Sequence, residues 1–282
     1  MANFRAARRA ARARRHQQEA VLTTFVLIPG AGGAAAWYWN RVVPLLERAG
    51  HAAIPVDLPG PDERAGLPEY ADLVAAAITE SAASTESAAS TGSAASTESA
   101  AKAESAASAR TAAGEDVMLV AQSLGGFTAP LVPARVPVGA IVLVNAMIPR
   151  PGETAGQWWA NTGSSQARIE AAERAGYPVE FDEALYFLHD VPPEVVAAGA
   201  DQRHNESDAV FGTPCDFTAW PPVPTRVVAG ADDRLFPAGF QRAVARDRLG
   251  VEADVLPGGH LIALSQPARL ADYLLGVSAA AR

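Results

Sequence analysis

Six short apolar runs, none of which alternates with polar residues, constrain this chain more than anything else in its 282 residues. They are residues 23–28 (TTFVLI), 52–56 (AAIPV), 116–121 (DVMLVA), 139–144 (GAIVLV), 225–229 (TRVVA) and 253–256 (ADVL). A strand with one wet face alternates, whereas a strand that is apolar throughout is covered on both sides, as in a parallel sheet sandwiched by helices. Helical stretches stand between the runs: residues 40–49 stop at Gly50, residues 237–249 start at Pro237 and stop at Gly250, and residues 267–275 start at Pro267. Proline suits a first turn that has no use for the N–H, and glycine suits the reversal after the last turn. The order predicts a doubly wound, mostly parallel, six-stranded α/β sheet. Residues 147–223 interrupt it with aromatic- and proline-rich sequence and helices near 165–175 and 193–200, an insertion of the length of a lid.

Two stretches stand apart from this pattern. Residues 1–20 hold six arginines and one glutamate but no apolar h-region, so they read as a disordered basic extension before a domain spanning 21–282. Residues 80–109 are a hexapeptide repeat (ESAAST, ESAAST, GSAAST, ESAAKA, ESAASA). Six helical residues turn about 600°, so successive copies are rotated by about 120° and build no constant face. The repeat therefore reads as a low-complexity insertion, either a solvated helical extension or disorder, tolerated in a surface connection.

Charge and composition exclude several functions. The net charge of −8, about −13 without the basic tail, argues against a nucleic-acid partner and mildly favours a neutral or cationic small substrate over a polyanion. No apolar run approaches 18 residues, so no membrane span is expected. One cysteine, Cys215, and histidines scattered at 16, 51, 189, 204 and 260 give neither a disulfide framework nor a zinc-type cluster. The expectation is a cytoplasmic protein with no metal and no cofactor; the sequence does not fix its oligomeric state.

The chemistry lies where strands end. The third run passes directly into Gln122-Ser123-Leu124-Gly125-Gly126, with small residues two before and two after the serine. Such spacing lets a strained strand-to-helix turn close and lifts the serine Oγ above the sheet, although alone it is equally a serine–glycine loop. The fifth run leads to Asp232-Asp233, the sixth to Gly258-Gly259-His260. A hydroxyl nucleophile needs a base for its proton and an acid to orient that base, and the chain order Ser, Asp, His supplies both. Among the histidines only His260 follows a strand in a glycine-flanked turn. Of the two aspartates Asp233 is favoured, with Asp232 as the capping or supporting alternative.

Jointly, FVLIPGAGG (25–33), WYW (37–39), DLPG (57–60), AQSLGG (121–126), GADDRLFP (230–237) and PGGH (257–260) followed by Pro267 resemble the α/β-hydrolase family. Within it they are similar to the six-stranded group of methyl-salicylate-type esterases and hydroxynitrile lyases, over about residues 23–276 apart from the repeat. The resemblance implies a serine esterase acting on a small-molecule ester, with Ser123, Asp233 and His260 as the triad and the N–H groups of Ala31 and Leu124 as the oxyanion hole. Pro29 stands where the family usually has histidine, which alters the support of the loop but removes no oxyanion donor. Hydroxynitrile lyases of the group carry threonine at Gly30 and lysine at Leu261, so both positions fall on the esterase side; a haloalkane dehalogenase would carry aspartate at Ser123. Carbon–carbon hydrolases, thioesterases and perhydrolases share the triad. A non-catalytic ligand-binding member of the fold is the other alternative, and the intact triad argues against it. Trp37, Trp39, Phe127, Trp158 and Leu261, with Trp159, Tyr186 and Phe187, are candidates to line the substrate pocket; core packing is the competing reading for the aromatics.

Overall fold

A computed structural model describes residues 22–90 and 114–281; the basic tail and the repeat beyond Ser90 lie outside the described residues. The strands are β1 Thr24–Ile28, β2 Ala52–Pro55, β3 Val117–Gln122, β4 Ala140–Val144, β5 Thr225–Gly230 and β6 Ala253–Leu256. They form one sheet in the order β2-β1-β3-β4-β5-β6, every neighbouring pair parallel. Each strand lies within a residue of its expected bounds, because the apolar runs that define it are the buried segments themselves.

Alternate side chains of each strand enter opposite layers. Val26, Ile28, Leu119, Ala121, Ile141 and Leu143 belong to one core, and Phe25, Leu27, Met118, Val120, Val142 and Val144 to the other. The second layer is closed by helices α1 (Val43–Arg48) through Leu46 and, at the chain's end, by the helix Pro267–Ala280 through Leu270 and Leu274. The first is closed by α2 (Leu67–Ser90) through Tyr70, Val74 and Ile78, and by the helix Ala238–Leu249 through Val244 and Ala245. The sheet is doubly wound. Helix α2 runs into the first copies of the hexapeptide repeat, so part of the repeat continues a helix that starts thirteen residues earlier with a buried face. Pro237 precedes the first turn of its helix as the N-cap instead of opening it, and the last helix continues past Leu275 to bury Ser278.

Residues 145–224 leave the sheet between β4 and β5 and cover its C-terminal edge. They contain α3 (Ala155–Thr162), α4 (Ser164–Ala175) and several single turns. Helix α3 escaped the periodicity argument but carries a local start signal: Thr154 Oγ1 accepts the Gln157 N–H at 3.1 Å and Gln157 Oε1 accepts the Thr154 N–H at 3.1 Å, a reciprocal cap. The segment is anchored by an ion pair between Glu153 and Arg248, whose side chains are only 4% and 2% exposed. Burial alone raises the Glu153 pKa. Hydrogen bonds from Arg248, from Asn161 at 2.7 Å and from the Arg150 N–H at 3.1 Å, with the Arg248 charge, outweigh burial and hold the carboxyl below its ordinary range. The long helices after β5 and β6 are α5 (Ala238–Leu249) and α6 (Pro267–Ala280).

Among the described residues no helix is long and apolar enough to cross a membrane, and no group of His, Cys, Asp and Glu is placed to hold a metal ion.

Candidate active site

The end of β3 explains the spacing of small residues. After Gln122 the backbone turns through Ser123 at φ 49°, a left-handed conformation uncommon for serine. A Cβ on Gly125 would lie 2.6 Å from the Pro29 carbonyl oxygen, and one on Gly126 would lie 2.1 Å from that of Met147, so the turn closes only with glycine at both. The Met147 and Gly126 N–H groups donate to the Ser123 carbonyl at 2.9 and 3.0 Å, fixing the turn against the start of the covering segment.

The loops after β5 and β6 bring the other two side chains to this turn. Asp233 Oδ2 lies 2.9 Å from His260 Nδ1, and His260 Nε2 lies 3.1 Å from Ser123 Oγ. Asp233 Oδ1 also accepts the N–H groups of Leu235 and Phe236 at 2.9 and 2.8 Å, and Oδ2 accepts Gln241 Nε2 at 3.1 Å. A carboxylate surrounded by donors is satisfied in its ionised, acceptor-only form. The proton between Asp233 and His260 therefore belongs to Nδ1, which leaves Nε2 free to accept the serine O–H. Rings of Phe187 and Phe236 stand 5.0 and 5.2 Å from the imidazole, and Asp233 and His260 are both buried.

The His260 loop is held from three directions. Asp232 Oδ2 accepts the Gly258 N–H at 3.2 Å. Asp190 of the covering segment accepts the Gly259 N–H at 2.6 Å. Asn145, fully buried at the end of β4 with φ 47°, donates through Nδ2 to the carbonyls of Gly259 and His260, both at 3.0 Å. Its Oδ1 accepts the Gly230 N–H at 2.6 Å and Gln241 Nε2 at 3.2 Å, so one side chain ties three strand ends together. Sequence reading missed Asn145 and Gln241. The only signal for Asn145 was a polar residue closing an apolar strand; Gln241 carried none.

A cavity of about 800 Å³ opens over this array, lined by Ser123, His260, Ala31 and Leu124. Among the described residues neither the Ala31 nor the Leu124 N–H donates to another group. Of the candidate substrate-binding residues Trp37 and Leu261 line the cavity, and Trp39, Phe127 and Trp158 do not. Trp39 packs into the sheet core with Phe25 and Leu27, and Phe127 and Trp158 into the opposite core, all three without solvent exposure. Trp158 donates its indole N–H to the Ile148 carbonyl at 3.0 Å, whereas its neighbour Trp159, about 100° further around α3, faces the cavity with Met147, Phe187 and Phe211. Tyr186 is core as well. At Gly30 a Cβ would lie 2.2 Å from Gln122 Oε1 and 2.7 Å from Ser123 Cβ, so any side chain there collides with the serine turn.

A family model described as the alpha/beta hydrolase family matches residues 25–273. No curated protein matches the chain in sequence. Solved structures share its fold. A pyrethroid hydrolase from Sphingobium faniae JZ-2 is 22% identical with a TM-score of 0.62, covering 92% of this chain and 98% of its own. Polyneuridine aldehyde esterase is 20% identical with a TM-score of 0.62, covering 91% and 99%. A methylesterase from Arabidopsis is 18% identical with a TM-score of 0.63, covering 92% and 99%.

Proposed function

This chain belongs to the alpha/beta hydrolase family, and from that premise we propose that it is a serine esterase that cleaves a small carboxylic ester through an acyl-enzyme. The observation that carries the reading is the unbroken chain Asp233–His260–Ser123, ending in a cavity beside two unengaged backbone N–H groups. His260 Nε2 takes the Ser123 proton as Oγ attacks the ester carbonyl, and Asp233 stabilises the imidazolium that forms. The N–H groups of Ala31 and Leu124 receive the oxyanion; each such donor contributes about 2.7–4 kcal/mol in the transition state. His260 then protonates the leaving alcohol. A water activated by the same nitrogen attacks the acyl-enzyme, and collapse of the second tetrahedral intermediate frees the acid and returns the proton to Ser123.

Ester hydrolysis is favoured over the cyanohydrin cleavage of the related lyases by two positions. Gly30 has no room for the lyase threonine, and Leu261 offers no charge where the lyases place lysine. The cavity volume suits a small molecule, and its Trp37, Trp159 and Leu261 walls suit an apolar acyl or alcohol group. The pyrethroid hydrolase, aldehyde esterase and methylesterase of the same fold support an ester as the substrate class. In this reading residues 147–223 act as the lid, and the enzyme works in the cytoplasm without a cofactor.

The test is hydrolysis of p-nitrophenyl acetate by the wild type, abolished in His260→Ala. Mandelonitrile cleavage without ester hydrolysis would overturn the esterase reading in favour of a lyase.

A further inference from the structure

The loop that carries the Ala31 N–H is built from glycine and alanine (GAGGA, residues 30–34), with Gly32 at φ 86°, so its own side chains cannot stiffen it. Proline stands at position 29, and the loop's support comes from elsewhere. Residues 202–206 of the covering segment lie antiparallel against it, with Gly33 bridged to Arg203. The Ala34 N–H donates to the Gln202 carbonyl at 3.0 Å, and the His204 N–H donates to the Gly32 carbonyl at 3.1 Å. The Gly32 N–H donates to Glu206 Oε2 at 3.0 Å. The other Glu206 oxygen accepts the hydroxyl of Tyr70, a buried residue of α2.

Both peptide planes that follow Ala31 are thereby fixed by the covering segment: the Ala31–Gly32 plane by Glu206 and the Gly32–Gly33 plane by His204. We propose that Glu206 is a positioning residue of the oxyanion hole, a bridge from the rigid body at Tyr70 to the Gly32 N–H that keeps the Ala31 N–H aimed into the cavity. Glu206 touches no reacting atom. It acts through the loop, so the hole is complete only while residues 202–206 are seated, and the inference rests on the esterase reading above.

The test compares Glu206→Ala, Glu206→Gln and Tyr70→Phe with the wild type, each normalised by active-site titration with a fluorophosphonate. Glu206→Ala is expected to lose about ten- to a hundredfold in kcat on p-nitrophenyl acetate, with KM within about twofold, because a misaimed donor forfeits part of what a missing donor would. Affinity for a trifluoromethyl ketone, which adds Ser123 to form a tetrahedral oxyanion, should fall by the same factor. Glu206→Gln should restore kcat to within about threefold, since the amide oxygen still accepts from Gly32. Should Glu206→Ala not fold, Tyr70→Phe frees one carboxylate oxygen and should lose several-fold in both kcat and ketone affinity. Glu206→Ala and Tyr70→Phe variants that keep kcat and ketone affinity within about twofold of wild type overturn the inference alone, as does a loss confined to KM. A wild type that neither cleaves the ester nor binds the ketone overturns the esterase reading, and this inference with it.

Discussion

The strand ends that carry Ser123, Asp233 and His260 and the segment that covers them are held by different physics. On the strand ends, backbone geometry does most of the work: a left-handed turn at Ser123, glycines packed against carbonyls, and N–H groups of Leu235 and Phe236 folded onto the carboxylate of Asp233. Residues 145–224 are held, apart from backbone bonds such as those of Gln202 and His204 with the oxyanion loop, by side chains that meet across long stretches of sequence. Glu153 reaches Arg248, Asp190 reaches Gly259, and Glu206 reaches Gly32 and Tyr70. Replacing a triad side chain should therefore act on the chemistry with little effect on folding, and a substitution in the second region on folding, fit and the shape of the oxyanion loop.

The largest expected effect falls on the strand ends. Asp233→Asn should lower kcat by about 10⁴-fold by stabilising the wrong imidazole tautomer, with KM within severalfold. Steady-state kinetics with a melting curve alongside checks this; a large drop in melting temperature with mild kinetic loss would reverse the contrast.

The next effect belongs to the anchor of the covering segment. Glu153→Leu leaves Arg248 buried and uncompensated, a loss of about 3–5 kcal/mol in unfolding free energy. Because the Glu153 carboxyl is held below its ordinary range in the folded protein, its contribution is fully present above the unfolded value of about 4.3 and is lost as pH falls through the lower folded value. Urea melts of wild type and Glu153→Gln should therefore differ most near neutral pH, with the gap narrowing as pH falls below the unfolded value of about 4.3. A gap that widens on acidification would contradict the anchor.

The same contrast decides what could be read from the sequence. The six strands were legible because a buried parallel strand writes itself as an uninterrupted apolar run, and the triad positions were legible because nucleophile, acid and base each follow such a run within a few residues. The support for that array was not. Asn145 and Gln241 matter only through partners more than 80 residues away for the former, such as Gly230 and His260, and nothing local distinguishes Gln241 from a surface glutamine. Trp39, Phe127, Trp158 and Tyr186 lie in the core and not at the cavity for a related reason: Trp158 and Trp159 are neighbours in sequence, and only the rotation of α3 decides which meets the core and which meets the cavity. In Trp37-Tyr38-Trp39 the same ambiguity left Trp39 in the sheet core.

Two smaller effects concern the cavity wall and the repeat. Trp159→Ala should raise KM for bulky apolar esters by about tenfold and leave small acetates within about twofold, since one wall of the cavity loses an aromatic surface. An equal rise for both would place Trp159 outside the substrate's reach. Deleting residues 81–109 should change kcat/KM by less than about twofold, because shortening a connection alters loop entropy only slowly. Loss of soluble, folded protein would show that the repeat packs on the domain.

Ester cleavage by this site requires Ser123 to be a nucleophile activated by His260. Incubation of the native protein with a fluorophosphonate, followed by intact mass measurement and peptide mapping, tests that most directly. The expected result is a single adduct on Ser123 that disappears in Ser123→Ala; a folded wild type that stays unlabelled, or an adduct that survives the substitution, would contradict it.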